Sequence, residues 1–595
     1  MTRTLARALA AAAALAASPA AGAELRLALG GDDDLREALR AASLLEQTIA
    51  EDANAPRRDI VAAAQADYRR LVAVLFEAGY FGPVVSIEVD GTEAASLPLI
   101  GSGEPVGVVR VTVQPGPRFL FGETRIGPVA GGTDLPAGFA PGEPAGTDVL
   151  REAADAAIEA WRADGHAKAE LASQEIVADH ARDRLDATLR LAPGPRLRYG
   201  PVSVDGEEDV REGQIRRIAD LRPGQIFDPE EVQRGAQRLQ RTGAFRSVTI
   251  TEAEAIGPND TLPMEIAVIE RLPRRFGVGA ELGSTEGLAL SAFWLHRNLT
   301  GFADSLRIEG EVGGIGGDSG GADYRLGATY TRPATFNPET DLVLGTAVER
   351  LDQPDFLSDR FEISAAARRI VNDRFQYSYG VAYAYSKTDD AFGTRNFSIL
   401  SLPLSAAYDR RDDPLNPADG YYVEAGLEPF GGFVTAGGGL RYTADLRGYQ
   451  GFGAERGTVL AARVQMGAVF GPDRSDVPPE WLFFSGGGGT VRGQPFQDLA
   501  VEVSGDRRVG GKSFFGLSAE LRQDVTESIG LVGFVDTGWI SPDADFFGGD
   551  SHTGAGLGVR YDTGIGPIRV DVGVPVAGPN DNAGVEIYIG IGQAF

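Results

Sequence analysis

From Arg274 onward the chain alternates apolar and polar residues with a period of two. The alternation is clearest where Phe515, Leu517, Ala519 and Leu521 interleave with Gly516, Ser518, Glu520 and Arg522, and where Ile568, Val570, Val572 and Val574 interleave with Arg569, Asp571 and Gly573. Strands with this pattern have one apolar and one polar face. The apolar face is nearly continuous and the polar face is charged, which favours a lipid-embedded barrel over a soluble sandwich. About sixteen tilted strands of about ten residues each fit this length.

Composition argues against several classes of protein. The chain has no cysteine, which excludes disulfides, thiol catalysis and cysteine-bound metals. Its four histidines are not at close ligand spacing, so we expect neither a metal site nor a catalytic triad. A formal net charge of −28 argues against a nucleic-acid partner. Residues 506–513 are similar to a phosphate-binding loop but lack its first glycine and precede a strand, so we predict no catalytic residues and no cofactor.

The first 23 residues have the features of a secretory signal peptide. Arg3 and Arg7 form a basic region, residues 8–17 are apolar, and Ala21-Gly22-Ala23 is a small-residue cleavage site. The apolar run is too short to span a membrane. We therefore expect cleavage after Ala23 and export of the remaining chain.

Residues 24–273 contain a repeated pattern. Gly79, Gly165 and Gly243 each follow a helical stretch, and glycine suits the left-handed position after a helix. A second repeat, Pro-Gly-Pro-Arg, occurs at residues 115–118 and again at 193–196. We predict three units, each running strand, helix, helix, strand, strand, with these bounds: 24–117, 118–196 and 197–273.

A glycine-rich segment, Ser485–Gln494, lies between strands eleven and twelve of the predicted barrel. With this segment the chain resembles the Omp85 superfamily, in which such a loop folds into the barrel lumen. The turn Asp409–Pro417, between strands eight and nine, is also similar to a family turn, and the three repeated units resemble POTRA domains. The resemblance implies α+β POTRA repeats in the periplasm, followed by an all-β transmembrane barrel of antiparallel strands in the outer membrane. The barrel would comprise residues 274–595, with a lumen loop at 471–512.

The resemblance assigns the lumen-loop motif to Val491, Arg492 and Gly493. Residues 533–538 are similar to the family's barrel-wall motif, and Asp536 within them faces the lumen by strand parity. Glu520, on the preceding strand, faces inward by the same parity. We expect Asp536 and Glu520 to pair with Arg492, because a guanidinium can bridge two carboxylates and stays charged.

The loop departs from the family pattern after Gly493. The family usually has an aromatic residue next, whereas here Gln494 and Pro495 precede Phe496. This departure bears on how the loop tip packs, and not on the presence of the loop itself.

Closure of the predicted barrel joins its first and last strands. We expect these strands to form a weak seam, with glycines thinning the closing strand, and we assign to it Phe276, Gly277, Gly590, Gly592 and Phe595. An open seam would offer a strand edge to another chain.

Three POTRA-like units before the barrel resemble the TamA branch of the superfamily. This branch implies insertion or secretion of autotransporter-like and other outer-membrane proteins. The implied partners are a TamB-like protein anchored in the inner membrane, unfolded clients and outer-membrane lipid. Two other functions remain open: export of one dedicated exoprotein, as in two-partner secretion, and a passive pore or docking platform in lipid transport.

Overall fold

The computed structural model describes most of the chain after the predicted signal peptide, which lies outside the described residues except for Ala23. The described residues are 23–30, 32–99, 105–317, 320–434, 437–453, 457–505, 507–526, 528–564, 566–579 and 584–595. They divide into two compact units: one holds residues up to 200 with 223–230 and 255–262, and the other holds 201–222, 231–254 and 263–595. None of the helices among these residues is long and apolar enough to cross a membrane.

The first α+β unit has three helices and a four-stranded sheet of order β1-β4-β2-β3. Leu71 and Leu75 of the longest helix are fully buried in one core with Ile87 and Val109 of the sheet. The elements are β1 (Glu24–Ala28), α1 (Asp33–Ala42), α2 (Leu44–Glu51), α3 (Arg57–Glu77), β2 (Val84–Val89), β3 (Thr92–Glu93) and β4 (Val108–Gln114).

The second and third α+β units each have a three-stranded sheet, of order β5-β7-β6 and β8-β10-β9. The second unit consists of β5 (Leu120–Gly127), α4 (Thr147–Ala163), β6 (Glu170–Asp179) and β7 (Arg184–Ala192). The third consists of β8 (Arg198–Asp205), α5 (Glu212–Ala219), α6 (Pro229–Arg241), β9 (Phe245–Glu252) and β10 (Thr261–Glu270). The domain bounds predicted from the sequence remain predictions.

The prediction of two helices in every unit is wrong for the first two units. In the first, the chain breaks at Ser43, whose side chain caps α2 and donates to Asp67 at 2.6 Å, so three helices form. In the second, the 128–146 segment is rich in proline and glycine. Proline lacks an amide donor and glycine is costly in a helix, so only α4 forms there.

The three repeated glycines have the backbone conformation that their position after a helix predicts. Gly79, Gly165 and Gly243 have φ of 90°, 97° and 73°. At Gly79 an added Cβ would lie 2.4 Å from the carbonyl oxygen of Ala145, so a side chain is excluded there by space as well as by φ.

The rest of the chain forms a closed antiparallel barrel. Its strands are β11 (Arg274–Gly283), β12 (Gly287–His296), β13 (Ser305–Ile315), β14 (Asp323–Asn337), β15 (Thr340–Gln353), β16 (Phe356–Ile370), β17 (Phe375–Asp390), β18 (Gly393–Ser401), β19 (Leu404–Asp409), β20 (Gly420–Val434), β21 (Gly439–Phe452), β22 (Thr458–Phe470), β25 (Ser513–Asp524), β26 (Ile529–Ser541), β27 (Asp550–Tyr561), β28 (Ile568–Ala577) and β29 (Glu586–Ile591). A separate hairpin, β23 (Val501–Ser504) with β24 (Arg507–Val509), lies between β22 and β25.

The β18 and β19 segments are two halves of one spanning strand. Both pair with β17 on one side and β20 on the other, and they are interrupted at Leu402-Pro403, where proline cannot donate to the ladder. The barrel therefore has sixteen spanning strands, which confirms the predicted architecture.

We call the end of the barrel where β11 begins the near end, and the opposite end the far end. Because successive strands alternate in direction, the 410–419 connection lies at the near end and the 471–512 connection at the far end. This placement agrees with the parity argument from the sequence. The 471–512 connection is called the lumen loop below.

Helix α5 of the third unit contacts the near end of the barrel. Arg217 donates from Nε to the carbonyl oxygen of Ala334 and from Nη2 to that of Thr335, both at 2.8 Å. The amide of Arg211 donates to the carbonyl oxygen of Gly301 at 3.0 Å. Backbone carbonyls of β14 and of the turn between β12 and β13 thus hold this helix.

Candidate functional site: the lumen loop and the barrel seam

The lumen loop folds back on itself before it reaches the barrel wall. Phe483 pairs with Gly511, and Ser485 pairs with Leu499. Directly after Ser485, within the segment that the inner pair encloses, the chain turns through Gly486 and Gly487, with φ of 117° and 90°, a region that favours glycine. The glycine run therefore permits the tight return that presents the following residues to the wall.

Arg492 lies at the centre of a buried cluster of carboxylates. Its Nε donates to Asp536 Oδ2 at 2.7 Å and its Nη2 to Asp536 Oδ1 at 3.0 Å. Its Nη1 donates to Glu520 Oε1 at 2.6 Å. Arg492 is 2% exposed, and Glu520 and Asp536 are 1% exposed. The structure thus brings together the arginine and the two carboxylates named from the sequence.

A third carboxylate, Asp571 on β28, completes the cluster. Arg492 Nη1 lies 3.3 Å from Asp571 Oδ2, and the guanidinium stacks 3.8 Å above the ring centroid of Phe534. The sequence reasoning did not assign Asp571 a role. Its signal was present, because it lies on the polar face of a strand that alternates clearly. We call Arg492, Glu520, Asp536 and Asp571 the arginine nest.

Two more arginines connect the nest to the residues that follow β29. Arg522 donates to Glu520 Oε2 at 2.9 Å and to the carbonyl oxygen of Phe595 at 3.1 Å. Arg560 donates to Asp571 Oδ1 at 2.5 Å and to Gln593 Oε1 at 2.8 Å. Together with Arg522 and Arg560 the nest brings three cations to three carboxylates, so charges buried from water compensate each other.

Gln494 holds the loop tip against the barrel wall. Its side-chain amide donates to the carbonyl oxygens of Thr553 at 2.7 Å and Ala577 at 3.1 Å, on β27 and β28. Beside it, Gly493 packs against the wall so closely that a Cβ on Gly573 would lie 2.8 Å from the Gly493 Cα. Hydrogen bonds to strand carbonyls thus hold the residue that stands where the family usually has an aromatic.

The seam between β11 and β29 is short. Only Leu282 with Ile589 and Gly283 with Tyr588 are paired, and one further backbone bond runs from the Ser284 amide to the Ile587 carbonyl at 2.9 Å. By contrast, β11 pairs with β12 through ten residues. Most of the β11 edge, residues 274–281, has no partner on the seam side among the described ladder pairs.

The five predicted seam residues do not all lie on the two strands of the seam. Phe276 and Gly277 lie on the part of β11 that pairs with β12 but has no described ladder partner on the seam side. Gly590 pairs with Arg569 of β28. The assignment of Gly592 and Phe595 to the seam strands is wrong, because β29 ends at Ile591. Gly592 has φ of 94°, in the left-handed region that favours glycine, and Phe595 is 6% exposed in a cluster with Tyr449 and Ala461.

The chemistry of this site is that of a structural clamp. Arginine stays charged, and its planar fork matches two carboxylates at once. Removing one member of a buried ion cluster leaves an uncompensated charge, which costs about 3–5 kcal/mol. Within the described residues no group of three or more histidines, aspartates and glutamates is arranged to hold a metal ion.

Known proteins share this architecture. Residues 298–595 match the family described as "Omp85 superfamily domain", and residues 197–271 match the POTRA family described as "Surface antigen variable number repeat". The outer membrane protein assembly factor BamA of Neorickettsia risticii (strain Illinois) is 22% identical over 66% of this chain and 54% of its own length. That of Nitratidesulfovibrio vulgaris is 23% identical over 69% of this chain and 53% of its own. The chain thus spans about half the length of these curated relatives.

Two solved structures share the fold. BamA from Haemophilus ducreyi lacking POTRA domains 1–3 superposes with a TM-score of 0.62 at 16% identity, covering 80% of this chain and 100% of that one. CdiB from Acinetobacter baumannii superposes with a TM-score of 0.52 at 13% identity, covering 80% of this chain and 90% of that one. The matched family spans half of the sequence, so the chain belongs to the Omp85 superfamily, with its barrel in the outer membrane and its POTRA region in the periplasm.

Proposed function

We propose that this protein assembles or secretes other outer-membrane proteins by offering them the edge of β11 at the seam. The observation that carries this proposal is the seam itself, in which only two residues of β11 pair with β29. The remaining β11 edge presents unpaired backbone donors and acceptors, which can pair with an incoming strand. The names of the BamA relatives, which are outer membrane protein assembly factors, support the same function.

The outer face of β11 suits this role. Phe276 is 73% exposed and Val278 is 89% exposed, and both point away from the lumen by parity with Trp294 and Ala292 of β12. A client strand added here would extend the barrel wall with its apolar residues already facing lipid. The free energy would come from client folding and burial of its strand edge, so the proposed mechanism requires no nucleotide.

The arginine nest has a supporting role in the proposed mechanism. It holds the lumen loop against β25, β26 and β28, the wall next to the seam. We propose that Val491, Arg492 and Gly493 brace this wall while the β11 edge exchanges partners. Glu520 and Asp536 are the wall residues through which the brace acts.

We further propose that the protein belongs to the TamA branch and docks a TamB-like partner through its N-terminal units. Three α+β units precede the barrel in the described residues, which supports this assignment. The proposed clients are autotransporter-like and other outer-membrane proteins.

A disulfide across the seam tests the assembly function. Because the chain has no cysteine, Leu282→Cys with Ile589→Cys forms a single possible pair, at residues that are direct partners in the ladder. Oxidation should stop assembly of a client barrel in proteoliposomes, and reduction should restore it.

The matched control places a disulfide in an ordinary ladder. Leu531→Cys with Val559→Cys joins partners on β26 and β27 that are similarly exposed on the outer face. This disulfide should leave assembly unchanged. Undiminished assembly with the seam disulfide fully formed would contradict the proposal.

The docking proposal has its own test. The full chain should bind the periplasmic C-terminal part of a TamB-like protein saturably, and deletion of residues 24–117 should abolish that binding. Binding that survives the deletion would place the dock elsewhere. Capture of an unfolded barrel in the absence of any TamB-like binding would favour a general assembly factor instead.

A further inference from the structure

The turn between β11 and β12 touches the tip of the lumen loop. The Gly488 amide donates to Glu286 Oε1 at 2.7 Å. The approach is close, because a Cβ on Gly487 would lie 2.2 Å from the same oxygen. The loop is therefore bonded to the first of the two strands that form the seam, through the turn at the end of that strand.

The same loop also touches the last strand. Five residues further on, the Gly493 amide donates to the Tyr588 hydroxyl at 3.2 Å. Tyr588 is 3% exposed, and a Cβ on Gly488 would lie 3.2 Å from its ring. Tyr588 is itself one of the two β29 residues that pair with β11.

The turn and the last strand are joined directly as well. Glu586 Oε2 accepts from the hydroxyls of Ser284 and Thr285, the latter at 2.5 Å. The Ser284 hydroxyl also accepts from the Ile587 amide at 2.9 Å. All of these contacts lie at the far end of the seam, where its two ladder pairs are found.

We propose that Glu286 and Tyr588 are positioning residues through which the lumen loop staples the two edges of the seam together. The loop would have to release one of them before the paired part of the seam could separate. Loop position and seam closure would then be a single coupled equilibrium, and the arginine nest would set how firmly the staple is held. The inference rests on the proposed function of the seam as the client's entry point.

The surroundings of Glu286 make the loss of its hydrogen bond to the loop costly in free energy. Desolvation raises the pKa of Glu286, and the neighbouring carboxylates Glu281 and Glu586 raise it further, whereas the Gly488 amide and Arg569 lower it. Because Glu286 is partly shielded from solvent, water replaces its hydrogen bond to the loop less readily than it would at an exposed site. Glu281, by contrast, is exposed and pairs with Arg569 at 2.7 Å across the seam, without a hydrogen bond to the loop.

Hydrogen exchange on the full chain in lipid nanodiscs tests the staple. In Glu286→Ala, exchange should accelerate about tenfold both in the loop, residues 486–494, and in the seam, residues 586–591. Glu286→Gln keeps an acceptor oxygen and should restore most of the protection. Tyr588→Phe removes only the hydroxyl and should accelerate loop exchange about fivefold. Glu281→Ala is the matched control: it removes an ion pair of the seam, so it should reach the loop only through the seam and accelerate loop exchange less than Glu286→Ala does.

Two outcomes would overturn the staple. One is loop exchange that is unchanged in both Glu286→Ala and Tyr588→Phe. The other is loop exchange that does not slow when the Leu282→Cys, Ile589→Cys disulfide locks the seam. Neither measurement involves a client, so the staple can fail while the proposed function stands. Conversely, client assembly through a locked seam would contradict the function and leave the staple intact.

Discussion

Arg492 and Asp536 form a two-pronged ion pair, with Nε to Oδ2 at 2.7 Å and Nη2 to Oδ1 at 3.0 Å. The Arg492 amide also donates to Asp536 Oδ2 at 3.1 Å. One carboxylate thus fixes both the backbone and the side chain of the loop residue. A point charge such as lysine could make neither the fork nor the stack on Phe534.

Replacing Arg492 should loosen the lumen loop. Arg492→Ala leaves three buried carboxylates short of a cation, so we expect a loss of about 3–5 kcal/mol. Arg492→Lys should lose less, because the charge remains. The temperature at which the folded barrel unfolds on a denaturing gel measures the loss, and protease cleavage within residues 471–512 measures loop release.

The control for this prediction lies in the same loop. Arg507 is exposed on β24, so Arg507→Ala should change neither measurement. An unfolding temperature for Arg492→Ala equal to that of Arg507→Ala would show that the nest does not stabilise the barrel.

Asp571→Asn should destabilise the barrel, although the sequence analysis assigned Asp571 no role. The change leaves both Arg492 and Arg560 with one fewer carboxylate, and we expect a loss of about 1–3 kcal/mol. Adding Arg560→Gln should cost less than the sum of the two single changes, because the two residues share one ion pair at 2.5 Å. Unfolding of the four proteins in a double-mutant cycle measures this coupling, and strict additivity would remove Asp571 from the network.

Arg217→Ala should free α5 from the near end of the barrel. The side chain makes two hydrogen bonds to backbone carbonyls of β14, at Ala334 and Thr335, so we expect a loss of about 1–3 kcal/mol in the local stability of this contact. Faster hydrogen exchange in residues 212–219 is the measurement. Arg222→Ala is the control, because Arg222 is exposed and makes its two side-chain hydrogen bonds to nearby Asp220. Equal exchange in both variants would contradict the prediction.

Closure of the seam around Glu286 should become more favourable as the pH falls. Burial raises the pKa of Glu286 in the closed seam, and the nearby Glu281 and Glu586 add to this, opposed by the Gly488 amide and Arg569. The closed state therefore binds a proton more tightly than an open state in which Glu286 meets water. By linkage, lowering the pH from above the raised pKa towards the usual carboxyl value favours closure.

A spin label at Gly489→Cys measures this pH response. An added Cβ at Gly489 has open space around it, so the label should not disturb the loop. Its mobility should decrease as the pH falls, and Glu286→Gln should abolish that response. A response that persists in Glu286→Gln would assign it to another group.

Much of the barrel could be predicted from the chain because its strands alternate with a strict period of two. Alternation fixes which residues face the lumen, so parity placed Glu520 and Asp536 on one face, on neighbouring strands. Motif similarity then singled out Arg492. The helices of the first two α+β units were less predictable, because a capping serine and a proline-rich segment override the general pattern there.

The sequence by itself determined the class of fold, the approximate number of spanning strands and the polarity of each strand face, and its resemblance to the family indicated the loop that enters the lumen. The first three properties depend on local periodicity and on the order of elements along the chain. Only the tertiary structure decided that Asp571 joins the nest, that Phe595 packs with Tyr449 and Ala461, and that Gly488 and Gly493 contact opposite edges of the seam. These contacts join residues tens to hundreds of positions apart. They depend on register and barrel closure, which no local pattern encodes.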